Sequence, residues 1–277
     1  MRKLLIMAIA CSAWQASAGE RVLAVGGAVT EIVYALGAED DLVARDTTST
    51  FPAEAEDLPD VGYMRALSPE GVLSVSPDLI LAVEGAGPPE TLDVLKSADI
   101  DLVTVPDGYD SQAVMEKVRV VGEALGREDA AKSLAQTIQS EFSEAEEKAA
   151  EKAGDAPKRV MFVLSTQGGR IMASGYGTAA DAMIDLAGGE NALSAFEGYK
   201  PLSDEAVIAA APDAILVMDR GGAHGQSNAE LLALPAIAAT PAGRSGTVIR
   251  MSGLYLLGFG PRTASAVSDL SDHLYGS

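Results

Sequence analysis

The sequence predicts an α/β protein of two Rossmann-like lobes, each built on a central, mostly parallel sheet. A long helical connector joins them and a ligand cleft lies between. Three observations lead there. Short apolar runs such as Arg21–Val25 and Leu79–Val83 alternate with helical periodicity. Strands with little polar alternation, separated by helices, suit a parallel sheet covered on both faces. A segment also recurs: Leu67/Leu202, Ser68/Ser203, Glu70/Glu205, Val72/Val207, Pro77/Pro212, Asp78/Asp213, Ile80/Ile215 and Leu81/Leu216 keep one spacing of 135 residues. Two related lobes follow from that. Between the copies, residues 111–152 read as helix alone, and 127–152 contain neither Gly nor Pro.

The elements follow in order. Arg21–Val25 is a strand ending at Gly26-Gly27, and Ile32, Val33 and Leu36 mark a helix closed by Gly37. The two glycines lack the further spacing of a dinucleotide fingerprint. Leu42–Ala44 is a short strand and Asp46–Leu58 a polar loop. Tyr63 and Arg65 lie on an exposed opening before a helix that Ser68 caps, with Pro69 in its first turn. Strand Leu79–Val83, the turn Gly85–Pro89, helix Glu90–Ala98 and strand Ile100–Val105 complete a first lobe spanning 19–106. The connector, 107–157, holds helices Ser111–Leu125 and Arg127–Lys152. The second lobe, 158–277, opens on strand Lys158–Leu164, a turn at Gly168-Gly169 and a short strand Ile171–Ala173. Thr178 caps a helix through Leu186, and Asn191–Pro201 is a loop. After the repeated helix and strand come a glycine-rich loop, Asp219–Asn228, a strand Val248–Arg250, a loop or short helix Met251–Gly260, and a closing helix Arg262–Tyr275.

With 277 residues, 48% of them hydrophobic, the chain can build one large or two modest cores. Twenty basic residues against 40 acidic ones give a net charge of −20, which repels nucleic acid and anionic membranes. Arg2 and Lys3, an apolar run Leu4–Cys11 and the small residues Ala16-Ser17-Ala18 read as a secretory signal peptide, 1–18, cut after Ala18. Ala8-Ile9-Ala10-Cys11 offers a lipoprotein alternative, with a very short apolar run. Cleavage after Ala18 removes Arg2, Lys3 and the single Cys, leaving 18 basic and 40 acidic residues, net −22, and no disulfide.

Catalytic chemistry finds little support: there is no GxSxG elbow, HExxH, CxxC or Walker sequence. The two histidines, His224 and His273, are too few for a zinc or manganese receptor of the usual kind. An interlobe cleft favours binding. Into it should project Tyr63, which the spacing alone leaves open as an aromatic wall, a hydrogen-bonding phenol or a phenolate ligand to ferric iron. Arg65, two residues on, is placed to donate to that oxygen or to face a carboxylate.

Gly62-Tyr63-Met64-Arg65-Ala66-Leu67-Ser68-Pro69-Glu70-Gly71-Val72-Leu73, Pro77–Leu81 and Glu84-Gly85-Ala86-Gly87-Pro88-Pro89 together resemble the periplasmic haem-binding proteins of bacterial haem ABC importers, within the helical-hinge class of substrate-binding proteins. Gly26–Gly37, Ala173–Asn191 and Lys200–Ser203 fit the same pattern, so the resemblance covers essentially the whole chain after the signal peptide. It implies a monomeric, non-enzymatic periplasmic carrier of haem b, delivering to an inner-membrane ABC permease and its ATPase. Tyr63 matches the family's axial tyrosine and Arg65 its supporting arginine. Some members add a histidine from the second lobe; here Ser165–Gly169 has none, so five-coordinate iron is expected. Gln167, Met172, Tyr199 and His224 are candidate pocket residues. Arg45, Arg65, Lys200 and Arg220 are candidate propionate partners. Glu70 and Glu205 match the glutamates that dock each lobe on the permease, although a carboxylate there also suits a helix N-terminus. The alternatives are a receptor for a ferric siderophore or cobalamin and, from a different class, an exported enzyme using the cleft.

Overall fold

The computed structural model describes residues 20–98, 100–219 and 227–276, with the backbone alone for Gln167. The first lobe runs β1 (Val22–Val25), α1 (Gly27–Ala35), β2 (Leu42–Arg45), α2 (Pro69–Leu73), β3 (Leu79–Val83), α3 (Pro89–Lys96) and β4 (Asp101–Val105). Its sheet has the order β2-β1-β3-β4, with every pair parallel. Helices α4 (Ser111–Ala124) and α5 (Glu128–Ala153) follow. The long helix α5 joins the lobes, packing on α4 of the first lobe's side and on the last helix of the second.

The second lobe runs β5 (Arg159–Ser165), β6 (Ile171–Ser174), α6 (Ala179–Leu186), β7 (Glu190–Asn191), β8 (Tyr199–Leu202), α7 (Asp204–Ala210) and β9 (Ala214–Asp219). It continues with α8 (Asn228–Leu232), α9 (Pro235–Ala238), α10 (Pro241–Ser245), β10 (Val248–Ser252), α11 (Gly253–Leu257) and α12 (Thr263–Tyr275). The sheet order is β10-β9-β5-β6-β8, parallel from β10 to β5 and antiparallel across β6 and β8. The expected loop Asn191–Pro201 therefore holds two strands. Pro201 concealed β8 from the sequence, yet β8 is an edge strand, where a missing backbone N–H is tolerated. Residues 229–247, which carry no predicted element, form three short helices. Their starts are marked by a Ser227–Glu230 capping box, Pro235 and a Thr240 cap with Pro241 behind it.

The central strands β1, β3, β5 and β9 are apolar on both faces because each face has its own core. Val22, Ala24, Leu79 and Leu81 join Val160, Phe162, Ala214 and Leu216 in one buried cluster that also takes Val118, Phe142, Leu256 and Phe259. Leu23, Val25 and Ile80 face a second cluster, and Met161, Val163 and Ile215 a third. The shared core runs through α4 and α5 from lobe to lobe, and a large apolar contact of this kind restrains relative motion.

The repeat extends to backbone geometry. Ser68 and Ser203 cap α2 and α7 by accepting from Gly71 and Ala206 N–H at 3.0 and 3.3 Å. After each helix a non-glycine residue takes a positive φ just before a proline: Ser76 at φ 45°, three residues past the end of α2, and Ala211 at φ 44°, the C-cap of α7. That conformation costs of order 1 kcal/mol at each site. In both lobes an arginine takes carbonyls near that helix end: Arg21 those of Val75 and Ser76, and Arg159 that of Ala210. The aspartates of the repeat, Asp78 and Asp213, each accept from the backbone N–H of that arginine.

Candidate functional site

Tyr63 and Arg65 sit on a short turn between β2 and α2, and the turn is held from both sides. On one side Thr47 N–H donates to the Gly62 carbonyl at 3.0 Å, and Asp60 accepts from Gly62 N–H at 2.8 Å. On the other, Gly87 donates to the Met64 carbonyl and accepts from Leu67 N–H, both at 2.9 Å. The two motifs that sequence shows 22 residues apart, around Tyr63 and Gly85, are therefore neighbours. The Tyr63 ring is 44% exposed, and Arg65 Nη1 donates to its Oη at 3.3 Å.

A second aromatic group enters through the loop after β4. Glu84, the first residue of the glycine-proline motif, accepts from Asp107 N–H at 3.3 Å. Asp107 also pairs at 2.6 Å with Lys117, whose side chain is fully buried and whose Nζ donates at 3.3 Å to the Phe259 carbonyl from the far end of the chain. Phe259, itself left-handed at φ 48°, sets its ring 5.3 Å from that of Tyr109. Lys117 thus ties the β4 loop to the second lobe at the residue whose ring meets Tyr109.

The second lobe contributes Tyr199. In the β6–β8 pairing, Met172, Ser174, Tyr199 and Pro201 share one face, while Ile171, Ala173, Lys200 and Leu202 share the other. Tyr199 lies edge-on to Phe162 at 6.4 Å. Behind it, Ser174 and Thr178 hydroxyls meet at 2.5 Å, Thr178 caps α6, and Asp181 accepts from Gly177 N–H and from Asn191. This network explains why the 173–191 stretch is so distinctive in sequence.

Arg65 connects the walls. Burial raises the Tyr109 and Tyr199 phenols above their usual value, and the Arg65 charge opposes the shift at both. The Asp107 charge and then Tyr199 raise Tyr109 further. Ser174 and Thr178, beside Tyr199, act in the same lowering sense as Arg65. A cation of the first lobe therefore lies within electrostatic reach of phenols on both sides of the cleft.

The remaining candidates divide. Met172 is on the Tyr199 face, whereas Lys200 points oppositely and lies 5.3 Å over the Phe196 ring. Arg45, expected as a propionate partner, is committed elsewhere: its guanidinium donates to the carbonyls of Ala55, Asp46 and Glu56 and to Asp60, at 2.9 to 3.4 Å. It braces the 46–60 loop that carries Asp60 and hence Gly62. Arg220 and His224, and the side chain of Gln167, lie outside the described residues. Glu70 and Glu205 are both exposed in first helical turns. The Glu205 carboxyl is held below its usual range by hydrogen bonds to its own backbone N–H and to Ser203. Tyr109, Lys117 and Phe259 were not among the predicted site residues. Tyr109 follows the carboxyl end of a strand, where ligands gather in open α/β sheets, and that position alone would have flagged it. A groove of about 650 Å³ between α4 and α5, lined by Met115, Arg119 and Ala135 among others, contains none of these groups.

Among the described residues no cluster of three or more His, Cys, Asp or Glu could hold a metal ion. A family model described as periplasmic binding protein matches residues 22–253. The chain belongs to the periplasmic binding protein family. It is a family of solute-binding proteins, and the two lobes joined by α5 are its helical-hinge architecture. The chain is similar to the solved periplasmic haem-binding protein BhuT in complex with two haems: 43% identity, TM-score 0.88, covering 93% of this chain and 98% of that one. It is 33% identical over 192 residues to an uncharacterised ABC transporter substrate-binding lipoprotein, YvrC, of Bacillus subtilis, spanning 69% of this chain and 60% of that lipoprotein's length. It is 28% identical to a vitamin B12-binding protein of Yersinia pseudotuberculosis over 223 residues, 78% of this chain and 75% of that protein.

Proposed function

We propose that this protein captures haem between its lobes, with Tyr63 as axial iron ligand, and delivers it to an inner-membrane ABC permease with its ATPase. The observation that carries the reading is the Tyr63–Arg65 pair: an exposed phenol with a guanidinium 3.3 Å from its oxygen, on the first-lobe wall. Ferric iron prefers an anionic oxygen donor, and tyrosine is an established type of haem ligand. A cation hydrogen-bonded to that oxygen favours the charge it must carry. Tyr109 and Tyr199 supply aromatic surface for the macrocycle on the floor and the opposite wall. The likeness to BhuT supports haem as the cargo, and we assign that cargo as haem b. Glu70 and Glu205 are the docking carboxylates, one per lobe, and Met1–Ala18 is the export signal removed before the protein works as a monomer in the periplasm.

The likeness to a vitamin B12-binding protein favours one second reading, in which Tyr63 is a wall for a corrin. Parallel titrations with hemin and cyanocobalamin separate the two. The haem reading expects a saturable Soret change at stoichiometric hemin and no competition by cobalamin. Binding of cobalamin with no Soret change overturns it.

A further inference from the structure

One surface feature is duplicated where the ligand site is not. Tyr63 and Arg65 have no counterparts in the second lobe, where Tyr199-Lys200-Pro201 precede Leu202. The faces of α2 and α7 do match. Glu70 corresponds to Glu205 at the repeat spacing, and Leu73 to Ile208. Leu73 is 40% exposed and Ile208 45%, while Val72 and Val207 between glutamate and aliphatic are fully buried. Large exposed side chains among the described residues are otherwise Phe51, four tyrosines and Val94, and none of these lies on α2 or α7. Residues three apart on a helix are neighbours, so each helix shows solvent a carboxylate beside a bulky aliphatic group.

Local folding does not require this arrangement. The caps, the buried valine and the positive-φ residue before each proline already account for α2 and α7. Leu73 and Ile208 leave apolar surface in water at both sites, and the cost is retained in two copies. A surface carried once on each of two related lobes matches a partner that presents the same surface twice. We infer that Leu73 and Ile208 are the apolar halves of two equivalent docking patches, and that the occupant is a pair of like permease subunits, each offering a cation next to an apolar hollow. The inference rests on the permease-delivery reading and adds a specific contact to it. The carboxylates supply charge complementarity and orientation, and the aliphatic groups supply the desolvated area that sustains the complex.

The test uses the haem-loaded protein and its ABC permease reconstituted with the ATPase in lipid nanodiscs. Burying one such aliphatic group is worth about tenfold in affinity, so Leu73→Ser and Ile208→Ser should each weaken docking by about tenfold and the double variant by about 100-fold. Hemin affinity and the thermal midpoint should stay at wild-type values, because both side chains are exposed. Unchanged docking in the double variant, with Glu70→Ala/Glu205→Ala weakened, overturns this inference and leaves permease delivery standing. If both pairs leave docking unchanged, the delivery reading falls with it. A loss confined to one lobe contradicts the equivalence of the patches.

Discussion

Asp107→Asn and Lys117→Met remove the same ion pair but should differ in cost. The Lys117 side chain is 1% exposed and that of Asp107 31%, with 2.6 Å between them. Asp107→Asn leaves the buried ammonium with neutral acceptors only, the new amide oxygen and the Phe259 carbonyl, and a buried charge without a counter-charge costs about 3–5 kcal/mol. Lys117→Met instead deletes the buried charge and keeps an unbranched chain of similar length. The carboxylate left behind is reached by water, and the loss reduces to about 1–2 kcal/mol for the hydrogen bond to the carbonyl and imperfect packing. Urea denaturation of the haem-free protein, followed by circular dichroism, measures both. Asp107→Asn should be the less stable by at least about 1 kcal/mol. Equal costs, or a larger cost for Lys117→Met, would refute the argument that the burial of lysine, and not the pairing alone, sets the energetics of the cleft floor.

Further predictions concern the lobe contact and the floor. A Cβ on Gly27 would lie 2.7 Å from the Thr48 carbonyl and 2.4 Å from Leu254 Cδ1 of the second lobe, so Gly27→Ala should cost about 1–3 kcal/mol in the same denaturation assay; a neutral effect would show that the lobes yield at this contact. Glu31, buried in α1, pairs with Arg262 at 2.6 Å, yet burial raises its pKa above the ordinary 4.5 against the opposing hydrogen bond and charge of Arg262. Its folded form binds the proton more tightly, so its contribution to stability is complete below about pH 4.5 and declines as pH rises through the folded pKa. Glu31→Gln should therefore gain on the wild type as pH rises above about 4.5, and a difference flat with pH contradicts this. Tyr109→Ala should weaken hemin binding about tenfold and Tyr109→Phe by much less, as loss of an aromatic face implies; equal losses would shift the weight to the phenol oxygen.

Much of the fold was legible because its signals are local. The apolar strands, the Ser68 and Ser203 caps and the Gly/Pro-free run of α5 all stand in the order predicted. What escaped depends on distant partners. Tyr199–Leu202 is a strand because β6 pairs with it, and neither Pro201 nor an exposed lysine announces that. Arg45 resembled a ligand cation because an arginine's sequence position does not reveal whether carbonyls surround it; Ala55, Asp46 and Glu56 do. Lys117 reads as an ordinary polar position on α4, and only the approach of Asp107 and of Phe259, 142 residues away, makes its burial tolerable. Tyr63 and Arg65 were legible because both sit on one short turn, so their proximity needs no tertiary information.

The most direct test of the account is the ferric spectrum of the hemin complex in Tyr63→Phe set beside Arg65→Ala. The wild type should show high-spin tyrosinate features and Tyr63→Phe should lose them. Arg65→Ala should keep them while binding hemin about 10–100-fold more weakly, as expected for a group that supports the ligand oxygen. A tyrosinate spectrum that persists in Tyr63→Phe would contradict the assignment of the iron to this phenol.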